Sequence, residues 1–290
     1  MPVVLLFDRH AILNRKRAYC HIWLAPLMVS AVTLILGCAS VPHTGRKQLN
    51  FVPNKDLDGL GARAYSEVIT KEPVCRNEKI NEIVKRVANR VSKAAEDMDH
   101  PGFEWKTYVV EKDIPNAFCL PGGKIVVYTG ILPHVKNEAG LATVIGHEVA
   151  HAVARHGGER LSQQLALQGI SSIGSEIFKD QEGKLDDKTK AVIGALGLGA
   201  TVGVLLPYSR THEIEADRIG LLYMAKAGYD PSESARLWER MSKIDKPPVP
   251  VWLSTHPADQ DRINNLRESM PAAKDIYNKE PVKFGLGASI

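Results

Sequence analysis

Asn137–His156 reads NEAGLATVIGHEVAHAVARH, and within it His147, Glu148 and His151 stand in H-E-x-x-H order. On a helix, residues four apart lie about 40° from each other and one turn along the axis. His147 and His151 therefore bring two imidazoles to one face, where both can reach the same metal ion. Glu148 is rotated away from that pair, too far round to ligate and well placed to act on a water molecule beside the ion. Leu141, Val144, Ile145, Val149 and Val153 make the remainder apolar, so the spacing predicts a buried helix. A low-dielectric wall of this kind strengthens the field of any charge placed against it.

Two histidines are only part of a catalytic zinc site, which takes three protein ligands and keeps one position open. Three candidates compete for the third ligand. A histidine six residues past the motif would mark one class of peptidase, but Ala154 and Gly157 hold the diagnostic positions. His156 lies five residues past His151, about 140° round a continuous helix, and is expected to point away as a capping or structural histidine. Glu176 has no supporting residues around it. The better candidate is Ser209–Asp217, SRTHEIEAD, which follows a Pro-Tyr break and opens a helix. Glu213 and Asp217 are four apart on one face, and Glu215 points to the other side. Glu213 is thus the expected third ligand, and Asp217 the carboxylate that hydrogen-bonds the far nitrogen of a ligating histidine and fixes its tautomer.

The chain has 290 residues and a formal net charge of +4, enough length for one large domain with a full core. Residues 1–37 hold Arg9, Arg15, Lys16 and Arg17 and then an apolar run of 15 residues, Ile22 to Leu36. That pattern reads as a secretory signal rather than a fold element. A cysteine directly after Leu36-Gly37 looks like a bacterial lipobox, with Cys38 the lipidated first residue of the mature chain. The alternative is a plain membrane anchor with an incidental cysteine, although the run is short for a span of about 20 residues. Without residues 1–37 the net charge falls to about +1, and nothing calls for nucleic acid. Cys75 and Cys119 remain, either paired or as buried thiols.

Along the chain, residues 38–53 lack periodicity and read as a tether. Asn54 is a candidate cap for a helix to about Lys71, and Arg76–Ala95 has helical apolar spacing. Phe103–Val110 alternates as a half-buried strand, and Asn116–Leu120, Pro121-Gly122-Gly123 and Lys124–Tyr128 form a hairpin. This small sheet stands just ahead of the metal-binding helix and can offer an edge to an extended peptide. Glu159–Lys179 reads as helix and Asp180–Lys190 as a charged loop. Ala191–Tyr208 carries no charge, so it is either a helix dipping into a membrane or a glycine-rich helix packed in the domain. Asp230-Pro231 starts a further helix, residues 247–250 are a rigid linker, and Pro257–Met270 is a final helix. The domain is expected over 54–280, with a loose tail over 281–290. The fold class is α+β and mainly helical.

Gly146-His147-Glu148-x-x-His151 followed by Ser209-Arg210-x-x-Glu213-x-x-Ala216-Asp217 resembles the HtpX-type and CAAX-prenyl-endopeptidase family of gluzincin zinc metallopeptidases. Asn116–Gly123 (NAFCLPGG) and Ser254-Thr255-His256-Pro257 also match, and the likeness runs from about Thr44 to Arg267. With the lipobox, the chain is most similar to periplasmic lipoprotein members of the LoiP type, and more distantly to the BepA type. The resemblance implies one zinc ion held by His147, His151 and Glu213, Glu148 as general base, and Asp217 behind the ligands. It implies that Asn116 lies on the substrate-binding edge. It gives His256 either an inhibitory place on the metal or a share in oxyanion stabilisation, while a plain helix cap remains open.

The function expected is that of a metalloendopeptidase hydrolysing unfolded or misassembled cell-envelope proteins in periplasmic quality control. The expected location is a Gram-negative envelope, as an outer-membrane lipoprotein facing the periplasm. Expected partners are unfolded or extended polypeptides and outer-membrane assembly components, with membrane attachment through the lipid anchor. The alternative is a zinc-stabilised chaperone or assembly factor whose peptidase activity is latent.

Overall fold

Asparagine caps set the start of two helices that frame the site. The Asn77 side chain accepts from the Ile80 amide at 3.2 Å and the Asn137 side chain from the Gly140 amide at 2.8 Å. Each satisfies a donor that a first helical turn leaves unpaired. The computed structural model describes residues 38–167, 209–243, 251–257, 259–285 and 290. In chain order these hold β1 (Cys38–Ser40), β2 (Lys47–Leu49), α1 (Asn54–Lys71), α2 (Glu78–Asp99), β3 (Lys106–Val110), β4 (Ala117–Leu120) and β5 (Lys124–Tyr128). There follow α3 (Leu132–Val135), α4 (Glu138–Val153), α5 (His156–Leu167), α6 (Arg210–Lys226), α7 (Ser232–Met241), α8 (Val251–Thr255) and α9 (Gln260–Lys279). The architecture is α+β and mainly helical.

β4 and β5 form the expected hairpin, turning through Gly122 and Gly123 at φ of 76° and 79°, a region that glycine enters without steric cost. β3 then pairs with β5 in parallel, Lys106 opposite Lys124 through Val110 opposite Tyr128, so the order is β3-β5-β4. Among the described residues no strand pairs with the outer edge of β4.

All 16 residues of α4 are buried, which accounts for its apolar sequence. It packs between α2, α6 and β4. Two glycines set its distance from α6. A Cβ on Gly146 would lie 2.8 Å from the Gly220 carbonyl oxygen, and one on Gly220 would lie 2.6 Å from the Gly146 carbonyl carbon. The two backbones therefore touch where they cross, one residue before His147 and three after Asp217.

The ends differ from expectation. Residues 38–53 are not a simple tether: β1 pairs antiparallel with β2, Cys38 opposite Leu49 through Ser40 opposite Lys47. Strands of three residues are too short to show alternation, and side-chain pairs to distant residues hold them in place. The tail is not loose where it is described. The Phe284 amide donates to the Gly228 carbonyl at 2.9 Å, Arg90 lies 3.4 Å over the Phe284 ring, and the Ile290 amide donates to the Lys136 carbonyl at 3.0 Å.

Smaller differences follow local chemistry. Pro53, not Asn54, holds the cap position of α1 and makes no side-chain cap bond. β3 begins at Lys106, and α9 runs past Met270 and Pro271 to Lys279. Cys75 and Cys119 are free and buried. Glu176, the charged loop 180–190, the segment 191–208 and the linker 247–250 lie outside the described residues. Among the described residues no helix is long and apolar enough to cross a membrane.

Candidate metal centre

Four donor-bearing side chains converge where α4, α6 and the end of α8 meet. His147 and His151 come from the middle of α4, Glu213 from the first turn of α6, and His256 from the residue after α8. All four are buried, and one ligand atom from each lies within 4.8 Å of the others. His147 Nε2 is 3.0 Å from His151 Nε2 and 3.1 Å from His256 Nδ1. The Glu213 carboxylate straddles the set: Oε1 is 3.4 Å from His151 Nε2 and 3.0 Å from His256 Nδ1, and Oε2 is 3.4 Å from His147 Nε2. A tetrahedron around zinc with nitrogen ligands at about 2.0–2.1 Å has edges of about 3.3–3.4 Å. The five donor separations run from 3.0 to 3.4 Å. Four buried donors gathered at these distances suit one metal ion of zinc's size and ligand preference.

The outward nitrogens are committed to other partners, which leaves Nε2 of each α4 histidine for a metal. His147 Nδ1 donates to Asp217 Oδ1 at 2.9 Å. Arg262, fully buried on α9, grips Asp217 with Nε on Oδ2 and Nη2 on Oδ1, both at 2.7 Å, and reaches Glu213 Oε2 with Nη1 at 2.8 Å. Its guanidinium carbon sits 3.6 Å over the Trp238 ring. Burial alone would raise the Asp217 pKa, but Arg262 and His147 hold it below the usual carboxylate range. Asp217 therefore stays an acceptor and locks the His147 tautomer.

His156 behaves differently from the expectation of a residue turned away. α4 ends at Val153, Arg155 takes φ of +60°, and α5 starts afresh at His156. The break swings the ring back, so His156 Nδ1 lies 2.8 Å from His151 Nδ1 and His156 Nε2 lies 3.3 Å from Glu215 Oε2. Burial pushes the His156 pKa down to about 4 despite Glu215, so its ring is neutral near pH 7. With one proton per contact, His151 Nδ1–H donates to His156 Nδ1 and His156 Nε2–H donates to Glu215. The His212 ring stacks on His156 at 4.4 Å and 17°. Continuous-helix geometry missed this arrangement because nothing in the sequence marks Arg155 as left-handed.

Glu148 is buried beside the cluster. Its Oε1 accepts from Trp252 Nε1 at 2.7 Å and lies 3.4 Å from His256 Nε2. α8, which carries Trp252 and leads into His256, is tied to the sheet by the Trp252 amide donating to the Pro115 carbonyl at 3.0 Å. Asn116, the next residue, is buried at the head of edge strand β4 and accepts through its carbonyl from the Tyr128 amide. Sequence reading missed Trp252 and Arg262. Their spacing around the His256-Pro257 pair was a signal only in combination with the fold.

Comparison with known proteins agrees with this geometry. The model of "Peptidase family M48" matches residues 75–270. A mitochondrial metalloendopeptidase OMA1 of Arabidopsis thaliana is 38% identical over 199 residues, covering 68% of this chain and 38% of that protein. The protein of that name from Schizosaccharomyces pombe is 34% identical over 239 residues, covering 81% of this chain and 67% of its own length. A putative beta-barrel assembly-enhancing protease of Vibrio cholerae is 31% identical over 226 residues, covering 73% of this chain and 44% of that protein. The chain thus spans from 38% to 67% of these relatives' lengths. These likenesses overturn the expected location. The relatives matched at 38% and 34% identity are mitochondrial proteins, not outer-membrane lipoproteins of a Gram-negative envelope. A basic, apolar leader followed by small residues consists of features that several targeting systems share, and Leu-Gly-Cys is too short a motif to separate them.

Proposed function

The chain belongs to peptidase family M48, a zinc metallopeptidase family, and from that premise we propose that it is a zinc-dependent endopeptidase acting on unfolded or extended polypeptides. The observation that carries this reading is the convergence of four buried donors within 4.8 Å of one another beside a buried glutamate. In this reading His147, His151 and Glu213 hold the ion, and Asp217 orients His147. A bound zinc ion supplies a Lewis acid that acidifies water and polarises a carbonyl. Glu148 takes the proton of the attacking water and returns it to the leaving nitrogen. Trp252 keeps the Glu148 carboxylate aimed, through its 2.7 Å hydrogen bond. His256 offers a ring N–H to the developing oxyanion, a contribution of roughly 3–4 kcal/mol for a well-aimed donor.

The β4 edge next to Asn116 supports main-chain pairing with an extended substrate, which binds backbone without reading side chains. Such selection suits removal of misfolded or misassembled proteins, and the likeness to a protease named for β-barrel assembly supports that role. Glu148→Gln tests the assignment. It is expected to keep zinc and to lower hydrolysis of an unfolded protein at least 100-fold; wild-type rates in the variant would refute it.

A second reading rests on His256, whose Nδ1 stands at the fourth corner, 3.0 Å from Glu213 Oε1 and 3.1 Å from His147 Nε2. As a fourth ligand it would close the site and leave a zinc-stabilised assembly factor with latent proteolysis. Hydrolysis that rises in His256→Ala supports the latent form, and hydrolysis that collapses supports the catalytic role.

A further inference from the structure

The β1–β2 turn reaches into the buried network behind His151. Thr44 Oγ1 donates to Glu215 Oε1 at 2.6 Å, and Arg46 Nε donates to Glu215 Oε2 at 2.7 Å. The rest of the same guanidinium forks onto Glu159, Nη1 to Oε1 at 3.0 Å and Nη2 to Oε2 at 2.7 Å. Glu159 Oε2 accepts in turn from His212 Nε2 at 2.9 Å, and His212 stacks on His156. Two paths therefore run from one turn to one imidazole. The first passes through Glu215 to His156 Nε2, and the second through Glu159 and His212 to the His156 face. His156 ends both paths against His151 Nδ1, 2.8 Å away.

The arrangement is more than a patch that glues a hairpin down. Glu215 and Glu159 are 5% exposed, and buried carboxylates require cations or donors. Arg46 supplies both with one planar fork, a geometry that lysine cannot reproduce. Gln48 adds a separate anchor, its side-chain amide donating to the Ala154 carbonyl at 3.0 Å, next to the break that turns His156 inward. The hairpin thus touches both the bend that aims His156, through Gln48 on β2, and the carboxylate that holds it, through Thr44 and Arg46 in the turn.

We propose that Thr44 and Arg46 are positioning residues of the metal centre, holding His151 in its ligating orientation through Glu215 and His156. This rests on the metallopeptidase reading. It makes the segment just after residue 37 part of the site machinery, so that displacement of the hairpin loosens a metal ligand from behind without touching the substrate face. Outer partners of ligating histidines commonly change metal affinity by about 10–100-fold. Arg46 acts at one further remove, and its loss should fall near the lower end.

The test measures zinc affinity of the full chain by chelator competition. Arg46→Met is expected to weaken zinc about tenfold. Thr44→Val should give a smaller loss in the same direction, and Thr44→Ser, which keeps the hydroxyl, should restore wild-type affinity. His156→Ala should weaken zinc by itself, and Arg46→Met or Thr44→Val added to it should cause no further loss. His43→Ala, which removes a hairpin contact to Asp99 (2.9 Å) that is on neither path to His156, should leave zinc affinity unchanged. If Arg46→Met does not fold, the Thr44 pair carries the test with and without His156. Unchanged zinc affinity in Thr44→Val and Arg46→Met, or losses that add fully to that of His156→Ala, would overturn the proposal. A wild-type chain that binds no zinc would instead overturn the metallopeptidase reading beneath it.

Discussion

The indole Nε1 of Trp252 donates a 2.7 Å hydrogen bond to Oε1 of Glu148, and both side chains are buried. A carboxylate that must accept and return a proton benefits from one fixed orientation, and Trp252 supplies it from a different element. The Trp252 ring is itself fixed by stacking on Trp238 at 4.9 Å and 19°. Trp252→Phe keeps the stack and removes the donor. The expected result is a roughly 10–100-fold fall in kcat, in line with the 1.5–3 kcal/mol of a hydrogen bond to a charged group, with KM and zinc content unchanged. Steady-state kinetics beside metal analysis check it, and an unchanged kcat would show that Glu148 needs no such support.

Gly220 allows α6 to touch α4. An alanine there puts its Cβ 2.6 Å from backbone carbon of Gly146, and neither backbone has a flexible end that can yield. Gly220→Ala should part the helices, cost about 1–3 kcal/mol as overpacking does, and weaken zinc by moving Glu213 away from His147 and His151. Thermal unfolding with a zinc titration measures both effects. A variant with wild-type stability would mean the crossing is looser than drawn.

Arg262 is the cation that both Asp217 and Glu213 depend on. Arg262→Met leaves the Asp217 carboxylate buried and without its ion-pair partner, and removing one member of a buried pair costs about 3–5 kcal/mol. Denaturant unfolding of the metal-free chain is expected to show this loss. Arg262→Lys should recover only part of it, because the two-pronged grip on Asp217 needs a guanidinium. Full recovery by lysine would contradict the role of the fork.

Glu159 links the pH dependence of stability to the hairpin. Burial would raise its pKa, but His212 and Arg46 bring it down to about 2 from 4.5. A carboxyl whose folded pKa lies below its unfolded value adds stability above pH 4.5, and loses it as pH falls through the folded pKa. The full contribution is about 2–3 kcal/mol. In Glu159→Gln the acid limb of the stability curve should flatten between about pH 4.5 and pH 2. Unfolding midpoints across that range measure it, and an unchanged slope would remove Glu159 from the acid limb.

Much of the centre could be read in advance because it depends on local geometry. His147 and His151 share a face by helical spacing, and Glu213 and Asp217 share another; the structure brings His147, His151 and Glu213 into one cluster with His256. In the structure the Asn137 and Ser209 side chains cap α4 and α6, the two helices that carry these residues, while the cap expected at Asn54 falls to Pro53. The hairpin over Gly122 and Gly123 was visible as a turn between two apolar runs. Where reading failed, a residue's role hung on a distant partner. His156 seemed to face away because one left-handed residue, Arg155, resets the helix. Residues 38–53 seemed a tether because what holds them is Arg46 reaching carboxylates more than a hundred positions away. Their own periodicity holds no sign of it.

The sequence by itself determined the main helices and the hairpin over Gly122 and Gly123, and it put His147 with His151 and Glu213 with Asp217 on shared faces, since 3.6-residue periodicity acts within a few positions along the chain. The tertiary structure alone decided which donors meet and what stands behind them. Contact of the two helix backbones at Gly146 and Gly220 brings the ligands of both helices together. The meeting of α8 and α9 with that pair supplies Trp252, His256 and Arg262. The β1–β2 turn closes the far side with Thr44 and Arg46. Buried charges need partners wherever the fold can bring them, and spacing along the chain does not reveal which partners those will be.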